Sequence, residues 1–415
     1  MLRSLALRHL WPQVRRGLLG ILGLQVALAL ILTLVDSYRR RGRKAKPFPR
    51  VDPVSTQVGG SELTVYTYGE DLYADMLGAI EHARESVLIE SYIWKGDELG
   101  ARFRDALARA TERGVEVYAS YDGFANLVVR RSFFSQFPQA IRLHRVPVYN
   151  AGWRFWDLRR YGRNHRKILV VDNEIGFIGG YNIGTAFATQ WRDTHVRLTG
   201  PAVTDLTRAF ADLWNTSKEG RRDPVRFRST KEWEPRVRVH RNVPRTWVFP
   251  IRGMYLEAIN RAERSLWMTH AYFTPDDDFV AALTDASRRG VDVRLLLPRT
   301  SNHVVADWIS RGYFDRMLRH GIRVFRFEGA MVHAKTATAD GRWATVGTAN
   351  IDRLSMTGNY EINLEIIDEG FAETMEKVFL SDLGNCTELS LNDWRERGPE
   401  RRFTEAVLRP LRRIL

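Results

Sequence analysis

Apolar positions open the chain as a nearly unbroken run of 19 residues, 17–35, interrupted by Gln25. At about 1.5 Å per helical residue such a run reaches across a hydrocarbon layer of roughly 30 Å. No small-x-small cleavage site precedes Asp36, so the pattern predicts an uncleaved transmembrane anchor rather than a signal peptide or an interfacial helix. Pro47, Pro49 and Pro53 then mark a polar linker. From Ser61 the period switches repeatedly. Residues 63–66 read as a strand, and 71–84 as a helix through Leu72, Met76, Leu77 and Ile80. Residues 87–93 follow as a buried strand, 101–113 as a helix closed by Gly114, and 115–118 as the next strand. The same order returns later, with 255–262 helical, 265–268 extended, 279–289 helical and 290–297 extended. Glu112-Arg113-Gly114-Val115-Glu116-Val117 and Arg288-Arg289-Gly290-Val291-Asp292-Val293 occupy matching places, which indicates an internal duplication. The expected fold is α/β, with two repeated halves behind an N-terminal transmembrane helix. Each half is a mostly parallel mixed sheet flanked by helices.

Composition adds size and partner class. At 415 residues and 44% hydrophobic, the chain can bury one large core or two ordinary ones. A net charge of +14 calls for an anionic partner, either a phospholipid surface or nucleic acid. The single Cys386 excludes an intramolecular disulfide and reads as a packed thiol. Arg3, Arg8, Arg15 and Arg16 precede the apolar run, and a denser cluster of Arg39, Arg40, Arg41, Arg43, Lys44 and Lys46 follows it. That bias favours a cytoplasmic domain after the anchor, at the cell membrane. Trp153, Phe155, Trp156 and Tyr161 lie among Arg154, Arg159, Arg160 and Arg163, as at a lipid headgroup boundary or in a core loop with solvated charges. Near the C-terminus Phe403, Val407, Leu408, Leu411 and Ile414 alternate with Arg401, Arg402, Arg409, Arg412 and Arg413. This is either a basic amphipathic helix or a segment packed on the second half. The expected organisation is 1–46 anchor and basic flank, 47–60 linker, 61–215 first domain, 216–245 linker, 246–390 second domain and 391–415 basic tail.

The chemistry lies in a repeated motif. Asn164-His165-Arg166-Lys167-Ile168-Leu169-Val170-Val171-Asp172 recurs 168 residues later as Val332-His333-Ala334-Lys335-Thr336-Ala337-Thr338-Ala339-Asp340, giving H-x-K-x4-D twice. Gly179-Gly180-Tyr181-Asn182 follows the first copy and Gly347-Thr348-Ala349-Asn350 the second. An acid lies 28 residues past each His, Asp193 and Glu361. Each half therefore supplies one His, one Lys, one Asn and one acid.

A phosphodiester resists attack, so its catalyst must neutralise the oxygens, supply a nucleophile and protonate the departing alkoxide. Lys167 and Lys335 offer ammonium groups, and Asn182 and Asn350 offer amides, for the non-bridging oxygens. Only 8 of the 63 basic residues are Lys, so Lys at both matching positions points to a need for a compact charge. His165 and His333 can act as nucleophile and acid, with Asp193 and Glu361 as orienters of their tautomers. In an extended H-x-K segment the His and Lys share a face. Asp172 and Asp340 complete the candidate set, although their spacing suits a turn or a buried salt bridge better than substrate contact. His-x-Lys places a cation beside any ligand and no Cys or His cluster completes a shell, so neither metal nor cofactor is expected.

These paired motifs resemble those of the phospholipase D superfamily, and the run from Asn164 through Trp191-Arg192-Asp193-Thr194-His195 most resembles bacterial cardiolipin synthases. The resemblance covers residues 61–382. It implies a pseudo-twofold site between the halves, a phosphohistidine intermediate with His165 as nucleophile, and transfer of a phosphatidyl group between phosphatidylglycerols. Anionic phospholipids and the membrane surface, with glycerol or another alcohol as acceptor, are then the partners. Nucleic acid is not expected. Hydrolysis by water and nuclease action are the alternatives. Thr348 stands where the family usually has Ser, which touches only a hydroxyl contact to phosphate, and Leu354 interrupts an expected Arg-Arg-Ser run.

Overall fold

The computed structural model describes residues 2–40, 46–148, 156–157, 160–217, 220–227 and 234–413. Arg41, Arg43, Lys44, Trp153, Arg154, Phe155, Arg159 and Ile414, together with parts of the 216–245 connection, lie outside the described residues.

The first sheet has eight strands in the order β1-β2-β9-β7-β6-β3-β4-β5. They are β1 (Val54–Val58), β2 (Ser61–Tyr66), β3 (Ser86–Ser91), β4 (Glu116–Asp122), β5 (Arg142–Val146), β6 (Ile168–Val171), β7 (Ile175–Gly179) and β9 (His195–Thr199). The second sheet repeats the plan as β10-β17-β16-β15-β11-β12-β13-β18. Its strands are β10 (Val237–Asn242), β11 (Ser265–His270), β12 (Asp292–Pro298), β13 (Arg323–Phe327), β15 (Lys335–Ala339), β16 (Trp343–Gly347), β17 (Glu361–Ile367) and β18 (Cys386–Leu389). Two short strands, β8 (Trp191–Arg192) and β14 (Met331–Val332), pair with each other across the halves.

The mixed α/β class and the duplication hold, but within the two eight-stranded sheets parallel pairing is confined to β3-β4-β5 and β11-β12-β13. The other pairings are antiparallel. The physical reason is the connection length. Helices Glu98–Glu112 and Asp277–Arg288 provide the long crossovers that parallel neighbours need, whereas the motif strands β6-β7 and β15-β16 are joined by tight hairpins. The ordered sheet also begins earlier than Ser61, because Val54–Val58 pairs with β2. Val237–Asn242, expected inside a linker, is an edge strand on β17.

The halves are fused by a common core. Ile178, Val196 and Leu198 of the first sheet pack in one cluster with Val346, Ile362 and Leu364 of the second, all fully buried. At about 1.5–3 kcal/mol for each such side chain withdrawn from water, this seam outweighs any single polar contact across it. The two halves accordingly form one body, and residues at its edge are held in fixed register.

Helix Leu2–Arg40 is longer than the apolar run that marks it, and its segment Leu22–Arg39 is long and apolar enough to cross a membrane. Leu22, Leu30, Ile31, Leu34 and Val35 are exposed, whereas Gln25 is buried and donates from Nε2 to the Val407 carbonyl at 2.9 Å. Leu28, Ala29, Leu32 and Asp36 continue the partly covered stripe at helical spacing. The helix thus rests one narrow face on the helices Val304–Arg319 and Pro399–Leu408. The C-terminal segment is docked too, with Trp394 and Leu408 buried, so it packs on the second half.

Candidate functional site

The Asp of each motif makes a turn. Asp172 and Asn173 have φ of 54° and 56°, and Asp340 and Gly341 have φ of 56° and 67°, the left-handed central pair of a turn closed by Glu174 N on the Val171 carbonyl and by Arg342 N on the Ala339 carbonyl. The Asp172 carboxylate accepts from the backbone N–H groups of Arg84, Glu85 and Ser86 at 2.8–2.9 Å. Asp340 accepts from Glu263, Arg264 and Ser265. Both lock the hairpin to the start of β3 or β11 and neither reaches the cleft, so they leave the candidate catalytic set and serve the fold.

At the other end of β6 and β15, backbone bonds cross between the halves. His165 N donates to the Tyr360 carbonyl at 3.0 Å, and His333 N donates to the Arg192 carbonyl at 2.7 Å. Tyr360 precedes Glu361 and Arg192 precedes Asp193, so each bond delivers the acid of one half to the His of the other. His165 Nδ1 lies 2.9 Å from Glu361 Oε2, and His333 Nδ1 lies 2.7 Å from Asp193 Oδ2. With Nδ1–H donated to a carboxylate, each ring presents Nε2 as its remaining nitrogen. Sequence spacing put one acid in each half, and the structure exchanges them.

The lysines fold back on their own motifs. Lys167 Nζ donates to the His165 carbonyl at 2.7 Å, and Lys335 Nζ donates to the His333 carbonyl. Both are almost wholly buried. Between His165 and Lys167, Arg166 turns into the core and pairs with Glu90 at 2.8 Å. The H-x-K run is the lead-in to a strand rather than a strand, since His165 and His333 precede β6 and β15. Asn182 Oδ1 accepts from Ile93 N at 3.0 Å, and Asn350 Oδ1 is buried without a hydrogen-bond partner among the described residues.

His165, His333, Asn182 and Asn350 line one cavity of about 360 Å³. Tyr92 meets His165 edge-on at 4.7 Å, and Trp191 meets His333 at 4.9 Å. Burial sets the charge states. It pushes Lys167 down to about 7 and Lys335 down to about 8. It lowers both His165 and His333, the latter well below its ordinary value and further through Lys335 and Lys167. Burial also raises the Asp193 carboxyl to about 6 against the pull of Lys335, and Asp352 on the same wall to about 7. The buried cleft disfavours isolated charges of either sign. An entering monoanion between the two ammonium groups would offset that strain.

Sequence reasoning missed how the acids are seated. The Thr348 hydroxyl donates to Glu361 Oε2 at 2.6 Å and accepts from Ile362 N. It therefore positions an acid and does not face phosphate. Its counterpart is Gly180, where an added Cβ would lie 2.0 Å from Asp193 Oδ1. The two halves solve one problem twice: a shorter acid needs glycine's space, and a longer acid takes a hydroxyl. The signal was the Gly-to-Thr difference at matched positions. Gly180→Ala is expected to lower turnover on the order of 100-fold by displacing Asp193 and with it His333. Steady-state turnover of the purified variant checks this, and wild-type rates would mean that Asp193 is not held there.

Two repeated sheets that share a core and bring two His-Lys-Asn sets to one cleft define the phospholipase D-like class of protein. A family model described as "Cardiolipin synthase, PLD-like domain" matches residues 76–214 and 255–383. The chain belongs to that family. It is 30% identical to a cardiolipin synthase of Clostridium perfringens over 369 residues, covering 86% of this chain and 77% of that one. It is 31% identical to cardiolipin synthase 2 of Staphylococcus epidermidis, with 86% and 75% covered, and 31% identical to the major cardiolipin synthase of Bacillus subtilis, with 86% and 76% covered. Among solved structures the fold resembles the phosphatidylserine synthase of Haemophilus influenzae, with a TM-score of 0.66 at 14% identity, covering 87% of this chain and 94% of that one.

Proposed function

We propose that the chain is a membrane phosphatidyltransferase that makes cardiolipin from phosphatidylglycerol. The observation that carries this reading is the reciprocal exchange of acids, which leaves two oriented imidazoles in a single buried cleft of a cardiolipin synthase-family chain. His165 Nε2 attacks phosphorus, the bond from phosphorus to the glycerol oxygen breaks, and His333, which takes up a proton on Nε2 when the anionic phosphodiester enters, gives that proton to the oxygen. The hydroxyl of a second phosphatidylglycerol then returns a proton to His333 as its oxygen displaces His165 from phosphorus. Lys167, Lys335, Asn182 and Asn350 hold the non-bridging oxygens, which gain charge as the transition state forms. Glu361 and Asp193 fix the tautomers. Helix Leu2–Arg40 is the membrane anchor, held along its Gln25 face by the body and open to lipid on its opposite face, with the sheets on the cytoplasmic side. The chain divides into a 1–46 anchor and basic flank, a 47–53 linker, a first domain from Val54 to 215, a 216–236 linker, a second domain from Val237 to 390 and a 391–415 basic tail.

The charge states give a pH prediction. A lysine is cationic below its pKa, so rising pH removes first the Lys167 charge near 7 and then the Lys335 charge near 8. Since kcat/KM reports the free enzyme, it is expected to fall through that interval and more steeply above it. Bound phosphodiester stabilises both cations and moves the kcat limb to higher pH. Profiles of both constants on short-chain phosphatidylglycerol in micelles test this, and a flat kcat/KM would remove the lysines from phosphate binding.

Lipid extracts test the function itself. Membranes of cells overproducing the chain should gain cardiolipin, and those making His165→Ala should not. Accumulated phosphatidic acid without cardiolipin would mean hydrolysis, and cleavage of labelled DNA in place of lipid turnover would mean a nuclease.

A further inference from the structure

The arginines near the C-terminus surround a second cavity of about 640 Å³ that shares no lining residue with the His cleft. It lies between helices Val304–Arg319 and Pro399–Leu408. Its floor is made of ion pairs and ring contacts. The buried Glu405 carboxylate takes Arg311 at 3.2 Å and Arg397 at 2.9 Å. Those guanidinium groups stack on Trp308 at 4.4 Å and Trp394 at 4.1 Å. Glu405 is thereby neutralised, with one positive charge left over. Around the rim, Arg316, Arg395 and Arg409 are exposed. Arg402 donates to the Arg395 carbonyl, a neutral acceptor that leaves its positive charge in place. Of the other lining acids, Asp315 pairs with Arg319, and only Asp277 remains. Cations are in clear excess in a concave site, and the forked guanidinium group matches phosphate oxygens.

The second observation is location. The same two helices carry the anchor, through the Gln25 to Val407 hydrogen bond and the stripe that continues from it. The outer face of the anchor, at Leu30, Ile31 and Leu34, is bare and apolar. A cationic cup beside a lipid-facing helix fits one chemistry, that of a phosphate joined to acyl chains.

We propose that this cavity holds the headgroup phosphate of an anionic membrane phospholipid, as a lipid site distinct from the cleft where transfer takes place. The assignment rests on the anchor and the arginines and not on the transfer chemistry. A lipid held there ties the C-terminal helix and the anchor to the same leaflet and fixes how the catalytic body sits on the membrane.

Native mass spectrometry of the full chain tests this. The parent carries His165→Ala so that bound lipid is not consumed, and phosphatidylglycerol is titrated against phosphatidylcholine. Adding Arg316→Gln, Arg395→Gln and Arg409→Gln is expected to remove one retained phosphatidylglycerol and to weaken its binding on the order of 100-fold, at roughly fivefold per arginine near an anionic lipid. The matching triple Lys variant keeps it, which separates lost charge from lost folding. On the wild-type background the triple Gln variant retains turnover of short-chain phosphatidylglycerol in micelles. Equal retention of phosphatidylglycerol by parent and Gln variant overturns the site, as does equal retention of phosphatidylcholine. Displacement of the lipid by inorganic phosphate or by an oligodeoxynucleotide reassigns the cup to soluble phosphate or to nucleic acid and rejects the lipid.

Discussion

With a labelled phosphatidyl donor and a rapid quench, His333→Ala is expected to accumulate acid-labile label on His165, and His165→Ala to accumulate none. Both rings have an acid on Nδ1 and face the same cavity, so geometry equips either for attack, and the choice of His165 follows the family resemblance. The experiment separates the roles because they fail differently. Loss of the nucleophile removes the covalent step altogether. Loss of the acid leaves an unprotonated alkoxide as leaving group, which typically costs about 10²–10⁴ in rate and is bypassed when the leaving group needs no proton. Label should therefore build up in His333→Ala when a donor with an acidic leaving group is used, because the same variant cannot activate the incoming hydroxyl. Label on His333 in the His165→Ala protein would reverse the roles. Absence of label under every condition would favour direct displacement by the acceptor.

The second large effect concerns the exchanged acids. Glu361→Gln keeps the size of the side chain but removes the charge that holds Nδ1–H and stabilises the developing imidazolium. The comparable Asp→Asn change in a serine-protease triad costs about 10⁴ in kcat, and a loss of that order is expected here. Because Glu361 serves His165, the variant should form label slowly even from a donor with a good leaving group. Asp193→Asn should form label at near-normal speed from that donor and fail with phosphatidylglycerol, whose glycerol needs the proton from His333. The opposite pattern would mean that each acid serves the His of its own half.

Much of this site was readable from the chain because it is written twice. Repetition at a spacing of 168 residues selected His165, Lys167, Asn182 and Asp193 with their partners, and period changes located β3, β4, β11 and β12 to within a few residues. The exchange of Glu361 and Asp193 was not readable, since it depends on β8 pairing with β14 and on the matching bridge from Asn164 to Tyr360. Those are contacts between segments far apart in sequence, and local pattern carries no information on them. The parallel reading of the sheets failed for a related reason. Alternation of helix and strand describes β3-β4-β5 correctly, but the motif strands are joined by hairpins at Asp172 and Asp340, the turn role that the spacing of these two residues suggested. Thr348 was misread as a phosphate contact because a hydroxyl beside a candidate site has several available partners, and only the folded geometry gives it to Glu361.

The crossing of acids between halves has a bearing on how such a chain could have arisen. Split at the connection between β9 and β10, neither piece would contain a working imidazole with its orienting carboxylate. A chain carrying one repeat alone would rebuild the arrangement by associating with a copy of itself about a twofold axis, the His of one copy reaching the acid of the other. In such a dimer both acids and both supports are necessarily alike. Joining the copies end to end lifts that constraint, and the pairs Asp193 with Gly180 and Glu361 with Thr348 differ in the way that this freedom allows.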